Sequence, residues 1–144
     1  MKLSEIKTLK SFCNSLFSTP DYREVLACIL NGEDDFEVNN VRFISAETID
    51  ETLADELEND RYILGCFYAH AIAHATDWPI VLIEAAQKGE AFDAIGEAMT
   101  REQIEKLADY YSSMDGYGAH FNGYDGGEEW LSCNGINYHV FDNH

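Results

Sequence analysis

Basic residues are scarce in this sequence. Its 144 residues include nine Lys and Arg against 27 Asp and Glu, which gives a formal net charge of −18 at pH 7. A protein that binds DNA or RNA through its general surface needs clustered positive charge to contact the phosphates, so this class is excluded. Attraction to anionic membranes is disfavoured for the same reason. We therefore expect neither direct nucleic-acid binding nor membrane binding.

Long apolar segments and secretion signals are also missing. The first ten residues are polar and amphipathic, without the apolar centre of a signal peptide, and the longest apolar run is too short to span a bilayer. The four cysteines, Cys13, Cys28, Cys66 and Cys133, are widely separated. Three of them lie in apolar helical patterns, as expected of reduced core thiols. We expect a cytoplasmic protein, and a disulfide is the less favoured alternative.

Repeats, linkers and low-complexity segments are absent as well. The length suits one domain with a sizeable core. Hydrophobic residues make up 46% of the chain and aromatic residues 12%, which are ordinary values for a folded protein. The sequence therefore predicts a single domain over residues 1–144.

The most apolar part of the chain is the segment 61–76. Between Ile63 and Ala75 it contains no Lys, Arg, Asp or Glu. A helix that is apolar on nearly every side must be buried on nearly every side. The pattern predicts one buried central helix over residues 61–76, on which the other elements pack.

The rest of the chain predicts an α+β fold with about seven short helices. Residues 78–88 form one of them, with Ile80, Leu82 and Ile83 directed inward. Phe36 to Phe43 alternate in hydrophobicity around Asn39-Asn40, which predicts a β-hairpin at about 35–45. Asn134-Gly135 marks a second hairpin within a C-terminal antiparallel meander at about 118–142, and the two hairpins can join into one small sheet.

Two histidines provide the main enzyme hypothesis. His70 and His74 are four residues apart, so they share one face of a helix, as paired metal ligands do. No Glu follows His70, and the nearest third ligand would be Asp77 or His120. A His pair in or beside the core explains the spacing without a metal, and this interpretation is favoured. Cys66 and His70 could form a nucleophile–base pair, but the apolar, acidic context favours a buried, inert thiol.

No other catalytic or cofactor motif is present. The acidic, Gly-rich segment from Asp125 to Glu129 lacks the ligand spacing of a calcium loop, and its glycines suit tight turns. Phosphate loops, dinucleotide fingerprints and nucleophile elbows are missing. We predict a protein that is not an enzyme, with no catalytic residue, cofactor or metal.

The acidic residues concentrate in one segment. Residues 33–60 contain eleven acids against one base, Arg42. Rows of carboxylates on a helix can approach the charge density of DNA, so they fit a basic groove built for nucleic acid. A solvated face is the ordinary alternative. The predicted partner-binding residues are Asp34, Asp35, Glu37, Glu47, Asp50, Glu51, Asp55, Glu58, Asp125, Glu128 and Glu129.

Several segments resemble small proteins encoded by phages and other mobile elements: Leu64–Phe67 through Asp77–Ile80, Ile83–Gly89, Ala94–Gly96, Gly118–Phe121, Tyr124–Gly126 and Tyr138–Phe141. In size and acidity the chain is similar to anti-CRISPR and antirestriction proteins, several of which act as DNA mimics. The resemblance assigns no role to an individual residue.

The resemblance implies an inhibitor of a host defence nuclease complex. Its partner would be a basic nucleic-acid-binding protein or complex in the cytoplasm of the host cell. Two alternatives stay open: a metal-binding or hydrolytic enzyme that uses His70 and His74, and an acidic structural protein whose charge serves solubility. The oligomeric state is also open, and it includes a homodimer.

Overall fold

A computed structural model describes all residues from Met1 to His144. The fold is α+β, as predicted, with nine helices and one four-stranded antiparallel sheet. None of the helices combines the length and the apolar character that a membrane crossing needs. In chain order the elements are α1 (Leu3–Ser15), α2 (Tyr22–Leu30), β1 (Asp35–Val38), β2 (Val41–Ser45), α3 (Ile49–Glu58), α4 (Arg61–Gly65), α5 (Ala69–Thr76), α6 (Ile80–Lys88), α7 (Phe92–Ala98), α8 (Arg101–Asp115), α9 (Gly118–Phe121), β3 (Glu129–Cys133) and β4 (Ile136–Asp142).

The chain divides into two compact units. We call the first the sheet unit (Met1–Ile49 and Tyr117–His144) and the second the helical unit (Asp50–Gly116). The single domain that the length suggests stays a prediction.

In the sheet unit, both predicted hairpins are present and their strands join in the order β1-β2-β4-β3. Asn39 and Asn40 have φ of 50° and 65°, and Asn134 and Gly135 have φ of 54° and 74°, as two-residue hairpin turns require. The predicted C-terminal strands are β3 and β4, and the start of that segment, Gly118–Phe121, is the short helix α9.

The core of the sheet unit lies between one face of the sheet and the helices α1 and α2. Phe43, Tyr138 and Val140 come from the two central strands and are fully buried against Leu9 and Val25 of the helices. The edge strand β1 alternates exposed and buried residues, while β2 is buried on both faces. Phe36 stacks on Phe43 across the hairpin, with ring centroids 4.9 Å apart. Cross-strand aromatic pairs of this kind fix the strand register.

The predicted central helix 61–76 is wrong in its continuity and in its burial. The segment forms two helices, α4 and α5, and the chain is extended at Tyr68 between them. The side-chain amide of Gln87 donates hydrogen bonds to the carbonyl oxygens of Gly65 and Phe67, at 3.0 and 2.7 Å. These bonds satisfy backbone groups that a continuous helix would have paired internally. Tyr62, Ile63 and Tyr68 are exposed.

The break is accompanied by close backbone contact between α4 and α7. A Cβ atom added to Gly65 would lie 1.9 Å from the carbonyl oxygen of Phe92, and one added to Gly96 would lie 1.8 Å from that of Arg61. The Arg61 guanidinium also donates to the carbonyl oxygens of Gly96 and Met99. Two short helices can therefore approach more closely than side chains would allow.

Helix α6 also differs from its prediction. Ile83 is buried as expected, but Ile80 and Leu82 are exposed together with Val81. Ile83 is the one fully buried residue of α6, and four consecutive apolar residues at the start of the helix did not show which of them faces inward.

Candidate functional site

The predicted acidic residues of the first hairpin lie on its solvent side. Asp35 and Glu37 alternate along β1 with the buried Phe36 and Val38, so their carboxylates are exposed. Asp35 forms an ion pair with Arg42 of the neighbouring strand at 2.8 Å. Asp34 and Glu47 are exposed outside the strands.

The acids of α3 occupy the face opposite its buried stripe. Ile49, Leu53 and Leu57 are 1% exposed, whereas Asp50, Glu51 and Asp55 are exposed. Asp50 and Glu51 lie in the first turn, where the helix dipole favours carboxylates. This explains them in part as helix-stabilising residues.

Arg101 at the start of α8 binds the acids in the C-terminal half of α3. Its guanidinium lies 2.8 Å from the Asp55 carboxylate, 2.5 Å from that of Glu58 and 3.8 Å from that of Glu105. The hydrogen bond that Arg101 donates to Glu58 raises the pKa of Arg101, although the partial burial of the guanidinium opposes this. Asp55 and Glu58 therefore cross-link α3 to α8, and less of their charge is available to an external partner.

The three acids of the C-terminal loop have different surroundings. Asp125 accepts hydrogen bonds from the Asn122 side chain and from the Gly127 backbone, so it stabilises the turn. Glu128 is hydrogen-bonded to Nδ1 of the buried His139, which also contacts the ring of Trp130. Glu129 is exposed at the start of β3.

The net negative charge is distributed unequally between the units. The sheet unit has 12 acids and 5 bases, a net charge of −7 over 77 residues. The helical unit has 15 acids and 4 bases, a net charge of −11 over 67 residues. Three of those four bases, Arg61, Arg101 and Lys106, lie within 4 Å of carboxylates of the same unit. Glu51 of the predicted set is exposed and has no ion pair, so this surface of the unit carries uncompensated negative charge.

The histidine pair lies on the surface of α5. His70 and His74 are both exposed, and the ring of His74 packs against Tyr110 with centroids 4.9 Å apart. No group of three or more His, Cys, Asp or Glu side chains is arranged to hold a metal ion. The prediction of a buried Cys66 is wrong, because its thiol is exposed in the break between α4 and α5. All four cysteines are free thiols.

A cleft in the helical unit brings together residues that the sequence interpretation did not connect. Phe67 and Tyr68 come from the break between α4 and α5, and Tyr111 and Asp115 come from the C-terminal half of α8. The cleft extends over two adjoining cavities of about 350 and 110 Å³ that share these four residues. The only sequence signal was aromatic enrichment in two separate segments, and nothing in either segment indicated that they meet.

The arrangement offers exposed carboxylates and the aromatic rings of the cleft. It is therefore suited to binding through charge and aromatic contact. No family model, curated protein or solved structure matches this chain.

Proposed function

We propose that the protein is an inhibitor encoded by a phage or mobile element, and that it blocks a host defence nuclease complex by occupying a basic nucleic-acid-binding groove. The observation that supports this most is the charge of the helical unit. It carries −11 over 67 residues, and most of its few bases are held in ion pairs inside the unit. A basic groove that approaches this surface is therefore attracted by the carboxylates and repelled by almost no positive charge.

Such a surface acts mainly through long-range attraction. Complementary fields raise the association rate and orient the partners, while each exposed carboxylate contact adds only about 1 kcal/mol or less. Several such contacts together compete with the phosphates of the displaced nucleic acid. No chemical step is needed, so the proposed protein is not an enzyme.

The first experiment tests binding and its salt dependence. The protein is immobilised and incubated with host lysate at low salt, and the bound proteins are eluted first with duplex DNA and then with rising NaCl. We expect to recover a nucleic-acid-binding protein that duplex DNA displaces. The Kd of its complex with the immobilised protein should rise at least tenfold between about 0.05 and 0.5 M salt, because screening shortens the range of the charges. Binding that is insensitive to salt and to DNA would contradict the proposal.

Charge reversal then locates the contact. One variant changes Asp34 and Glu47 of the sheet unit to Lys, and a second changes Asp50 and Glu51 of the helical unit to Lys. The matched control changes Glu84 and Glu97 to Lys, which alters the net charge equally at exposed sites outside the predicted set. At least one test variant should lose inhibition and the control should keep it. Equal losses in all three would indicate a non-specific effect of net charge.

A further inference from the structure

The aromatic cleft of the helical unit is a structural feature that the acidic surfaces do not explain. Its walls are Phe67, Tyr68, Tyr110 and Tyr111, and Asp115 is the carboxylate at its edge. The narrower cavity measures about 110 Å³, several times what one water molecule requires. The cleft therefore has room for a ligand group of several non-hydrogen atoms.

The rings that line this space also contact one another or a neighbouring ring. Phe67 and Tyr111 meet edge to face with centroids 4.9 Å apart, which fixes the two rings relative to each other. Tyr68 is stacked on His70 at 5.6 Å and is itself 71% exposed. The face of an aromatic ring carries negative electrostatic potential, so a site with several rings attracts cations.

The charges around the cleft favour a cation as well. Asp115 is the last residue of the 15-residue helix α8, and the last turn of this helix contains no base. The carbonyl end of a helix is partially negative, so a carboxylate there is unfavourable unless a positive charge lies nearby. Burial and the Asp115 carboxylate raise the pKa of Tyr111, which places the negative field of Asp115 at this wall of the cleft.

We propose that this cleft binds a small organic ammonium cation of the quaternary or alkylated class. Such a cation carries its charge on methyl groups, so it loses little hydration when aromatic rings surround it. A primary ammonium or a metal ion is strongly hydrated, and the faces of aromatic rings do not replace the oxygen ligands that it would lose. The proposal is independent of the inhibitor function, because it concerns residues outside the acidic set.

Choline and its neutral isostere 3,3-dimethylbutan-1-ol provide the direct test. Each is titrated into the ¹⁵N-labelled protein at about 0.15 M NaCl, which screens general attraction to the acidic surface. We expect saturable choline-induced shifts at Phe67–Ala71 and Tyr110–Asp115, with at least tenfold weaker binding of the alcohol. Equal affinity for both compounds would show an apolar pocket without cation selectivity and would overturn the proposal. Shifts spread over acidic residues elsewhere, without saturation, would also overturn it.

Substitutions assign the binding to the named groups. Tyr68→Ala removes an exposed ring, and Tyr68→Phe keeps it; we expect about a fivefold weaker choline affinity for the first and an unchanged affinity for the second. Asp115→Asn should weaken choline binding about as much as Tyr68→Ala does. Asp109→Asn makes the same change at an exposed position of α8 outside the cleft, so it should leave the affinity unchanged. Equal losses for Asp109→Asn and Asp115→Asn would refute the cleft as the site.

Discussion

The sheet unit and the helical unit are stabilised in different ways. The sheet unit packs large side chains such as Phe43 and Tyr138 between a sheet and two helices, with hairpin turns that set the register. The helical unit has its own buried residues, but it also depends on backbone contact at Gly65 and Gly96 and on ion pairs around Arg101. The hairpin turns depend on adjacent residues, whereas the β2–β4 pairing, the α4–α7 contact and the Arg101 ion pairs join segments that are distant in the sequence.

The two units also differ in what they expose. The three cysteines of the sheet unit are buried or partly buried, whereas the single cysteine of the helical unit is exposed. The helical unit also carries the larger net charge and the aromatic cleft. Both proposed binding properties therefore draw on the helical unit, and three experiments test the contrast directly.

The largest effect is expected from Gly96→Ala. The new Cβ would meet the Arg61 backbone carbonyl, which cannot move aside as a side chain would. We expect the free energy of unfolding to fall by about 3 kcal/mol, measured from urea midpoints. Gly89→Ala is the control, since its nearest neighbouring atoms would lie 3.6 Å away and its φ is −85°. If both variants unfold at the wild-type midpoint, the close α4–α7 contact does not stabilise the helical unit.

The next effect is a difference in thiol reactivity between the units. Burial raises the pKa of Cys13 to about 11, and it does the same for Cys28 with the help of a hydrogen bond to Glu33; it also raises the pKa of Cys133. For Cys13 and Cys28 this shift lowers the thiolate fraction at pH 8 by about a hundredfold. We therefore expect Ellman's reagent to modify one thiol rapidly, the exposed Cys66.

Mass spectrometry of the labelled protein identifies the modified position, and Cys66→Ser should abolish the fast phase. Raising the pH towards 11 should speed the labelling of the other thiols, because their thiolate fraction rises as the pH approaches the raised pKa. Rapid labelling of Cys13 or Cys28 at pH 8 would contradict the burial of the sheet-unit thiols.

The smallest effect is expected at the ion-pair network. Arg101→Ala leaves Asp55, Glu58 and Glu105 without their shared cation. Because the guanidinium is partly exposed, we expect a loss of about 1 kcal/mol at low salt that shrinks at 0.5 M NaCl as screening weakens the repulsion. Arg23→Ala in the sheet unit removes an exposed pair with Asp21 and should change the midpoint less. An equal loss in both variants would mean that the network adds nothing beyond a surface pair.

Elements with strong local signals were predicted well. The Asn39-Asn40 and Asn134-Gly135 turns are where the sequence placed them. In each case the signal and its partner lie within a few residues, so no distant contact can alter the outcome. The break at Cys66–Tyr68 could not be predicted in this way, since Gln87 and α7 lie about twenty or more residues further along the chain.

The acidic surfaces were likewise predictable only where the signal is local in the sequence. The acids of residues 33–60 were identified from composition, and their exposure on β1 and α3 follows from the hydrophobic period of each element. That Arg101 would bind Asp55 and Glu58 had no local signal, because the residues are more than forty positions apart. The inhibitor function inferred from the charge stays a proposal.

By itself, the sequence determined the acidity of this protein, its α+β composition and its two hairpins, because charge is additive and tight turns depend on adjacent residues. Only the tertiary structure decided which apolar residues are buried, where the 61–76 segment breaks and which aromatic rings form a cleft. Those outcomes depend on how closely backbone segments that are distant in the sequence approach each other. Here Gly65 and Gly96 allow the close contact of α4 with α7, and the Gln87 amide binds the carbonyl groups at the break.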